Sequence, residues 1–199
     1  MKFVLASQNQ KKLKEMQDIL SAYGVEVVLQ SQVGLNLDVE ETGTTFVENA
    51  ALKAEAVCAA SGLPAIADDS GLCVDALNGA PGVYSARYGG EGLDDVGRYR
   101  LLLQNMRGML NRRCKFVSAV CCVFPDGKKI TVEGECAGTL AYAPQGEDGF
   151  GYDPIFFVPE LKKTFAQLTP EEKNAISHRG NAMKEFKREL ERYFNGTDQ

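Results

Sequence analysis

The chain of 199 residues has one histidine, His178. A multi-histidine zinc site and a His-Glu-x-x-His helix are therefore excluded, and a Ser-His-Asp triad would depend on that residue alone. Six cysteines, at 58, 73, 114, 121, 122 and 136, never form Cys-x-x-Cys. They read as reduced thiols packed like small apolar side chains. No stretch approaches the roughly 20 apolar residues of a membrane-spanning helix. The opening apolar run, Met1 to Ala6, is shorter than a secretion signal requires, so a cytoplasmic protein is expected. The phosphate-binding glycine loops are missing: there is no Gly-x-x-x-x-Gly-Lys-Ser/Thr, and no Gly-x-Gly-x-x-Gly follows the first apolar strand. Positive charge is not in excess either. Lys plus Arg number 22 against 27 Asp plus Glu, a net charge of −5. That balance argues against broad nucleic-acid or anionic-membrane binding, but a local basic pocket is compatible with it.

What is present reads as an ordinary globular chain, 44% hydrophobic and 25% charged, long enough to bury a core without metal or disulfide staples. Lys2 to Ala6 is a short buried strand, and the polar turn Ser7-Gln8-Asn9 leads to a helix from about Gln10 to Tyr23, stopped by Gly24. Val25 to Leu29 is a second strand. Thr45-Phe46-Val47-Glu48 is a capping box opening an alanine-rich helix, which Gly62 and Pro64 end. Ala65-Ile66-Ala67 is a short strand ending on Asp68-Asp69-Ser70-Gly71, with a glycine-rich loop beyond it. Leu93 to Met106 is helical. Phe116 to Phe124 and Lys128 to Leu140 flank Pro125-Asp126-Gly127 as a hairpin. Thr169-Pro170-Glu171-Glu172 is a second capping box, and Ser177 caps a last helix with Met183, Phe186, Leu190 and Tyr193 on one face. The whole predicts an α/β fold with a mixed sheet, and the hairpin region is able to form a second lobe beside a cleft.

Several clusters can carry chemistry, each with a plainer alternative. Ser7 to Lys12 joins a strand to a helix N-terminus, where N–H groups and the dipole favour an anion; a capped helix with solvated lysines is the commoner meaning of such residues taken alone. Asp68 and Asp69 are adjacent carboxylates on a buried strand, which repel and cost desolvation unless a lysine or a divalent cation relieves them. Oxygen-only donors suit Mg²⁺. Strand alternation points the two side chains to opposite faces, so they need not share a role. Asp94-Asp95 repeats the dipeptide at a helix start, where capping explains it. Glu40 or Glu41 can complete a metal site, or simply place negative charge before a helix. Asn49 and Lys53 lie four apart on one helix face. Phe150-Gly151-Tyr152-Asp153 can stack on a base or pack as a turn. Lys173, His178 and Arg179 offer donors to a carbonyl-rich ligand, or form polar first turns.

As an ordered set these residues resemble the inosine triphosphate pyrophosphatase family. The resemblance runs from about Lys2 to Phe194. It is carried by Ser-Gln-Asn-x-x-Lys at 7–12, Glu-Glu-Thr-Gly at 40–43, Glu-Asn-Ala at 48–50 with Lys53, and Ala-Asp-Asp-Ser-Gly-Leu at 67–72. Further motifs are Gly-Ala-Pro-Gly-Val-Tyr-Ser-Ala-Arg at 79–87, Gly-Phe-Gly-Tyr-Asp-Pro-Ile-Phe at 149–156, and Glu-Lys-Asn-Ala-Ile-Ser-His-Arg at 172–179. Ser7 stands where the family usually has threonine and keeps the hydroxyl; Gln8 departs from the usual glycine or histidine.

The resemblance implies one α/β domain spanning 1–199, with an elongated mixed sheet flanked by helices, two lobes, a central substrate cleft and a homodimer. It implies Mg²⁺-dependent hydrolysis of ITP, dITP or XTP to monophosphate and pyrophosphate. By position, Ser7, Gln8, Asn9, Gln10, Lys11 and Lys12 would cradle the triphosphate, and Glu40 and Asp69 would hold Mg²⁺. Asp69 would also accept the proton, with Lys53 and Asp68 in support. Ser70 would touch substrate, Phe150, Gly151, Tyr152 and Asp153 would embrace the nucleoside, and Lys173, His178 and Arg179 would read the base. Two alternatives stand beside this: a Maf-like pyrophosphatase of modified pyrimidine or 7-methylguanosine triphosphates, and a purine nucleotide sensor without turnover. Ser-His-Arg argues against the first, and the acid and lysine set against the second.

Overall fold

The structure is a computed structural model that describes residues 1–196, the side chains of Lys11, Glu15 and Ile19 excepted. The strands are β1 (Lys2–Leu5), β2 (Glu26–Leu29), β3 (Ala65–Val74), β4 (Arg113–Val123), β5 (Lys129–Leu140), β6 (Phe156–Val158) and β7 (Lys163–Thr164). The α-helices are α1 (Gln10–Leu20), α2 (Phe46–Ser61), α3 (Asp95–Asn105), α4 (Pro170–Ile176) and α5 (His178–Asn195). The strands form one sheet in the order β2-β1-β3-β4-β5-β6-β7. It is mixed: β1 pairs parallel with β2 and β3, and β6 pairs antiparallel with β5 and β7. The α/β class with a mixed sheet is therefore what the chain adopts.

The chain divides into two compact units. Among the described residues the first comprises 1–69, 118–134 and 182–196, and the second 70–117 and 135–181. The first has a core of Phe3, Leu5, Leu20, Ile66, Val120 and Phe186 among others, all buried. The apolar face of α5 enters this core through Met183, Phe186 and Leu190, the spacing read from the sequence. The second has its own core, including Leu72, Leu102, Phe116, Ile155, Phe156 and Phe165.

Local chemistry accounts for most boundaries. Thr45 Oγ1 accepts from the Glu48 N–H at 3.1 Å, and Glu48 Oε2 accepts from the Thr45 N–H at 3.2 Å, closing the capping box of α2. Gly62, with φ of 67°, ends the same helix in the left-handed conformation that glycine tolerates best. The first helix is shorter than its apolar periodicity predicts. It stops at Leu20, and residues 21–23 tighten into a 3₁₀ turn before Gly24. The third strand is longer than predicted. Instead of ending at the aspartates it runs through them to Val74. Strand propensity disfavours aspartate, but Lys12 meets the Asp68 carboxylate, and Asn49 and Lys53 meet that of Asp69. The short strands β6 and β7 carry no recognisable sequence pattern of their own.

The six cysteines are free thiols, five buried and Cys73 half-buried. Burial pushes their pKa values up, to about 12 for Cys114 and about 11 for Cys136. Among the described residues no helix is long and apolar enough to cross a membrane.

Candidate active site

In the first unit the adjacent aspartates of β3 are 6% and 9% exposed. Alternation along the strand sends them to different partners. Asp68 Oδ1 lies 2.7 Å from Lys12 Nζ, supplied by α1. Asp69 takes its partners from α2: Asn49 Nδ2 donates to Oδ2 at 3.1 Å, and Lys53 Nζ lies 3.8 Å from Oδ1. Lys53 Nζ also reaches Glu41 Oε1 at 2.7 Å. Two lysines thus stand against three carboxylates, and each lysine is only partly exposed. Glu40 is exposed, and it is Glu41 that joins the Lys53–Asp69 group.

The segment before α1 folds on itself. Ser7 Oγ accepts from the Asn9 N–H at 3.1 Å, and Asn9 Oδ1 from the Lys12 N–H at 3.4 Å. Gln8, Asn9 and Gln10 are exposed, and Ser7 is half-buried. This is a helix N-terminus with a lysine one turn in, the arrangement that favours an anion. The Lys11 side chain lies outside the described residues. Ser70, next to Asp69, is half-buried.

The second unit builds a different kind of cluster. Asp153, 3% exposed, accepts from the Phe150 N–H at 2.9 Å and from Lys173 Nζ at 2.5 Å. The loop is pinned at two further points: the Gly151 N–H donates to Asp95 Oδ2 at 2.9 Å, and the Tyr152 hydroxyl donates to the Ser85 carbonyl at 2.7 Å. Burial pushes the Tyr152 hydroxyl pKa well up, so it stays a donor. Phe150 itself is 59% exposed. Lys173 Nζ sits 4.9 Å from its ring centre and 5.4 Å from that of Phe165, and the Arg179 guanidinium lies 6.0 Å from the Phe150 ring. Such distances are those of cation–π contacts. His178 is buried, its ring stacked on Phe116 with centres 4.7 Å apart and planes 17° from parallel. Ser177 Oγ accepts from the Gly180 N–H at 3.0 Å and so fixes the start of α5, which carries His178 and Arg179.

The donor set of the first cluster fits Mg²⁺. It is made of carboxylate oxygens, two of them on a buried strand. Among the described residues no three Asp, Glu, His or Cys side chains converge as a complete metal cage. Mg²⁺ does not need one, because it is commonly held by one or two carboxylates with substrate phosphates and water completing the shell.

Residues 3–189 match the model of the Ham1 family. The chain belongs to the Ham1 family. It is 47% identical over 196 residues to a dITP/XTP pyrophosphatase of Exiguobacterium, covering 98% of this chain and all of that protein. It is 51% identical to a dITP/XTP pyrophosphatase of Haemophilus influenzae, covering 95% and 98% of the two chains. The solved Ham1 protein of Staphylococcus aureus superposes with a TM-score of 0.92 at 45% identity, covering 96% of this chain and 98% of that one.

In this Ham1 chain, Lys12, Lys53, Asp68 and Asp69 fall together in one unit, and Phe150 to Asp153, Lys173, His178 and Arg179 in the other. Sequence reasoning misses four contributors. Glu41 and Asn49 are visible as residues but not as partners of Lys53 and Asp69. Asp95 reads as part of a cap; in the structure Asp94 caps α3 by accepting from the Gly97 N–H, and Asp95 holds the Gly151 N–H. Ser85 lies in the 79–87 motif, whose conspicuous glycines and proline are the available signal. Its hydroxyl accepts from the Leu72 N–H at 2.9 Å and donates to the Gly82 carbonyl at 2.7 Å.

Proposed function

We propose that the chain hydrolyses non-canonical purine nucleoside triphosphates, ITP, dITP and XTP, to the monophosphate and pyrophosphate, clearing them from the nucleotide pool. One observation carries the reading. A buried aspartate shares a lysine with a second carboxylate, in a chain nearly half identical, over almost its whole length, to proteins named dITP/XTP pyrophosphatase.

Water attacks the α-phosphorus, the bond from that phosphorus to the bridging oxygen breaks, and pyrophosphate leaves. Asp69 orients the water and takes its proton. Lys12, Lys53 and the N–H groups between Ser7 and Lys12 offset the phosphate charge, and Asp68 keeps Lys12 in place. Mg²⁺, held by Asp69 and Glu40 with Glu41 adjacent, would polarise the phosphate oxygens and lower the pKa of bound water. Ser70 contacts the substrate. The protein acts in the cytoplasm as a homodimer.

The base is held against Phe150 and read by Lys173, His178 and Arg179. Donors at these positions pair with the 6-oxo group of hypoxanthine or xanthine. Adenine presents a 6-amino donor instead, and a donor left unmatched in a buried site costs roughly 1–3 kcal/mol. A panel of ITP, dITP, XTP, GTP, ATP and pyrimidine triphosphates, with and without Mg²⁺, tests the reading. Pyrophosphate release is expected from ITP, dITP and XTP, far above ATP, and only with the metal. Release of single orthophosphates, or a preference for pyrimidines, would overturn it.

A further inference from the structure

We infer that Asn49 is a positioning residue that fixes the Asp69 carboxylate relative to the Glu40–Gly43 segment. This rests on the reading of Asp69 as the group that takes the proton. The Asn49 side chain is fully buried and spans two partners: its Oδ1 accepts from the Gly43 N–H at 2.8 Å, and its Nδ2 donates to Asp69 Oδ2 at 3.1 Å. A backbone N–H can only donate and a carboxylate can only accept, so the amide has a single satisfied orientation. Apolar residues would leave both partners unmet in a buried place, and a second carboxylate would put charge against charge.

The same segment reaches Asp69 by a second route, from Glu41 to Lys53 to Asp69 Oδ1. Asn49 and Lys53 lie one turn apart on α2, so one helix face delivers a neutral donor to one carboxylate oxygen and a cation to the other. The capping box at Thr45 and Glu48 fixes where that helix begins. Gly43 shows how close the approach is. A Cβ there would sit 2.6 Å from Glu48 Cβ and 2.7 Å from Asn49 Oδ1, so no larger residue fits without moving the segment. Asn49 thereby sets the direction of the base and the place of the acidic segment together. Misplacement of about 1 Å in such geometry is enough to cost on the order of 100-fold in rate.

The test uses the full-length enzyme and a double-mutant cycle. Asn49→Asp keeps nearly the same size and still accepts from the Gly43 N–H, but it turns a carboxylate toward Asp69. It should lower kcat by about 10- to 100-fold while KM for ITP changes less than about threefold, and it should lower Tm. Adding Asp69→Asn restores a donor–acceptor pair of reversed polarity, with the amide now on the strand and the carboxylate on the helix. The double variant should recover Tm while staying inactive, because the base is gone. A kcat for N49D within twofold of the parent would overturn the inference, as would a double variant no more stable than N49D. If N49D does not fold at all, a folded double variant supports the pairing and an unfolded one overturns it. Asp69→Asn alone keeps the two readings apart. If it is active, the role given to Asp69 fails; if it is inactive while N49D is normal, only the role given to Asn49 fails.

Discussion

Both units hold a buried aspartate against a lysine, but they surround the pair differently. In the first, Lys12 meets Asp68, and Lys53 bridges Glu41 and Asp69, with further charged or amide groups as neighbours. In the second, Lys173 meets Asp153 while resting on the rings of Phe150 and Phe165. The first arrangement concentrates charge that a polyanion and a metal can engage. The second immobilises a cation beside an exposed flat ring, which suits a planar base. In the proposed function the same kind of ion pair would serve charge handling in one place and shape recognition in the other.

The sharpest way to break that contrast is at Asp69. Asp69→Asn keeps the size of the side chain and an oxygen able to accept from Asn49, so the fold should hold. Pyrophosphate release from ITP should fall by about 100- to 10,000-fold, the range expected for loss of a general base. Turnover near the parent's would leave the first cluster as a structural ion-pair network only.

The next effect is on stability, in the second cluster. Lys173→Met leaves Asp153 buried with the Phe150 N–H in place and its cation removed. Breaking such a pair from one side costs about 3–5 kcal/mol in buried settings. The lower end is expected, because the Lys173 side chain keeps 18% of its exposure. Differential scanning calorimetry should then show Tm lowered by roughly 6–12 °C. Adding Asp153→Asn removes the stranded charge and should restore part of the loss. If Lys173→Met leaves Tm unchanged, the lysine is held by the rings alone and the two clusters differ more than their shared ion pair suggests.

The parts legible in the sequence are those set by local chemistry. Thr45 with Glu48 and Thr169 with Glu172 mark two helix starts, and Gly62 marks an end, because a cap is decided within a few residues. The 3.6-residue spacing of Met183, Phe186 and Leu190 marks the buried face of α5. The continuation of β3 through Asp68 and Asp69 is not legible. Its stability depends on Lys12, Asn49 and Lys53, which lie 56, 20 and 16 positions away in the chain. The same holds for Asp153 with Lys173 and Asp95 with Gly151, whose pairing requires a folded chain. Residue types announce the site, and only tertiary contacts assign partners within it.

The smallest effect separates the two capping boxes, which start the helices carrying Lys53 and Lys173. Glu48 is held below the ordinary glutamate pKa by the Thr44 N–H first, with the Thr44 hydroxyl and the Thr45 N–H adding to it. Glu172 is held down by the Thr169 N–H first, with Lys163 contributing at 3.4 Å. A carboxylate with a depressed folded pKa contributes stability that is fully present above its unfolded value, about 4.3, and is lost as pH falls through the folded value. Glu48→Gln and Glu172→Gln should each flatten the fall of Tm with pH below about 4.3 and change little at pH 7 relative to that acid limb. Salt tells the two apart. The Glu48 contribution comes from fixed N–H and hydroxyl groups and should survive high ionic strength, whereas the Lys163 share of the Glu172 contribution lies between exposed charges and should be screened. Equal salt sensitivity of the two acid limbs would mean that neither box depends on its charged neighbour, and the helix carrying Lys173 would then start by the same local chemistry as the helix carrying Lys53.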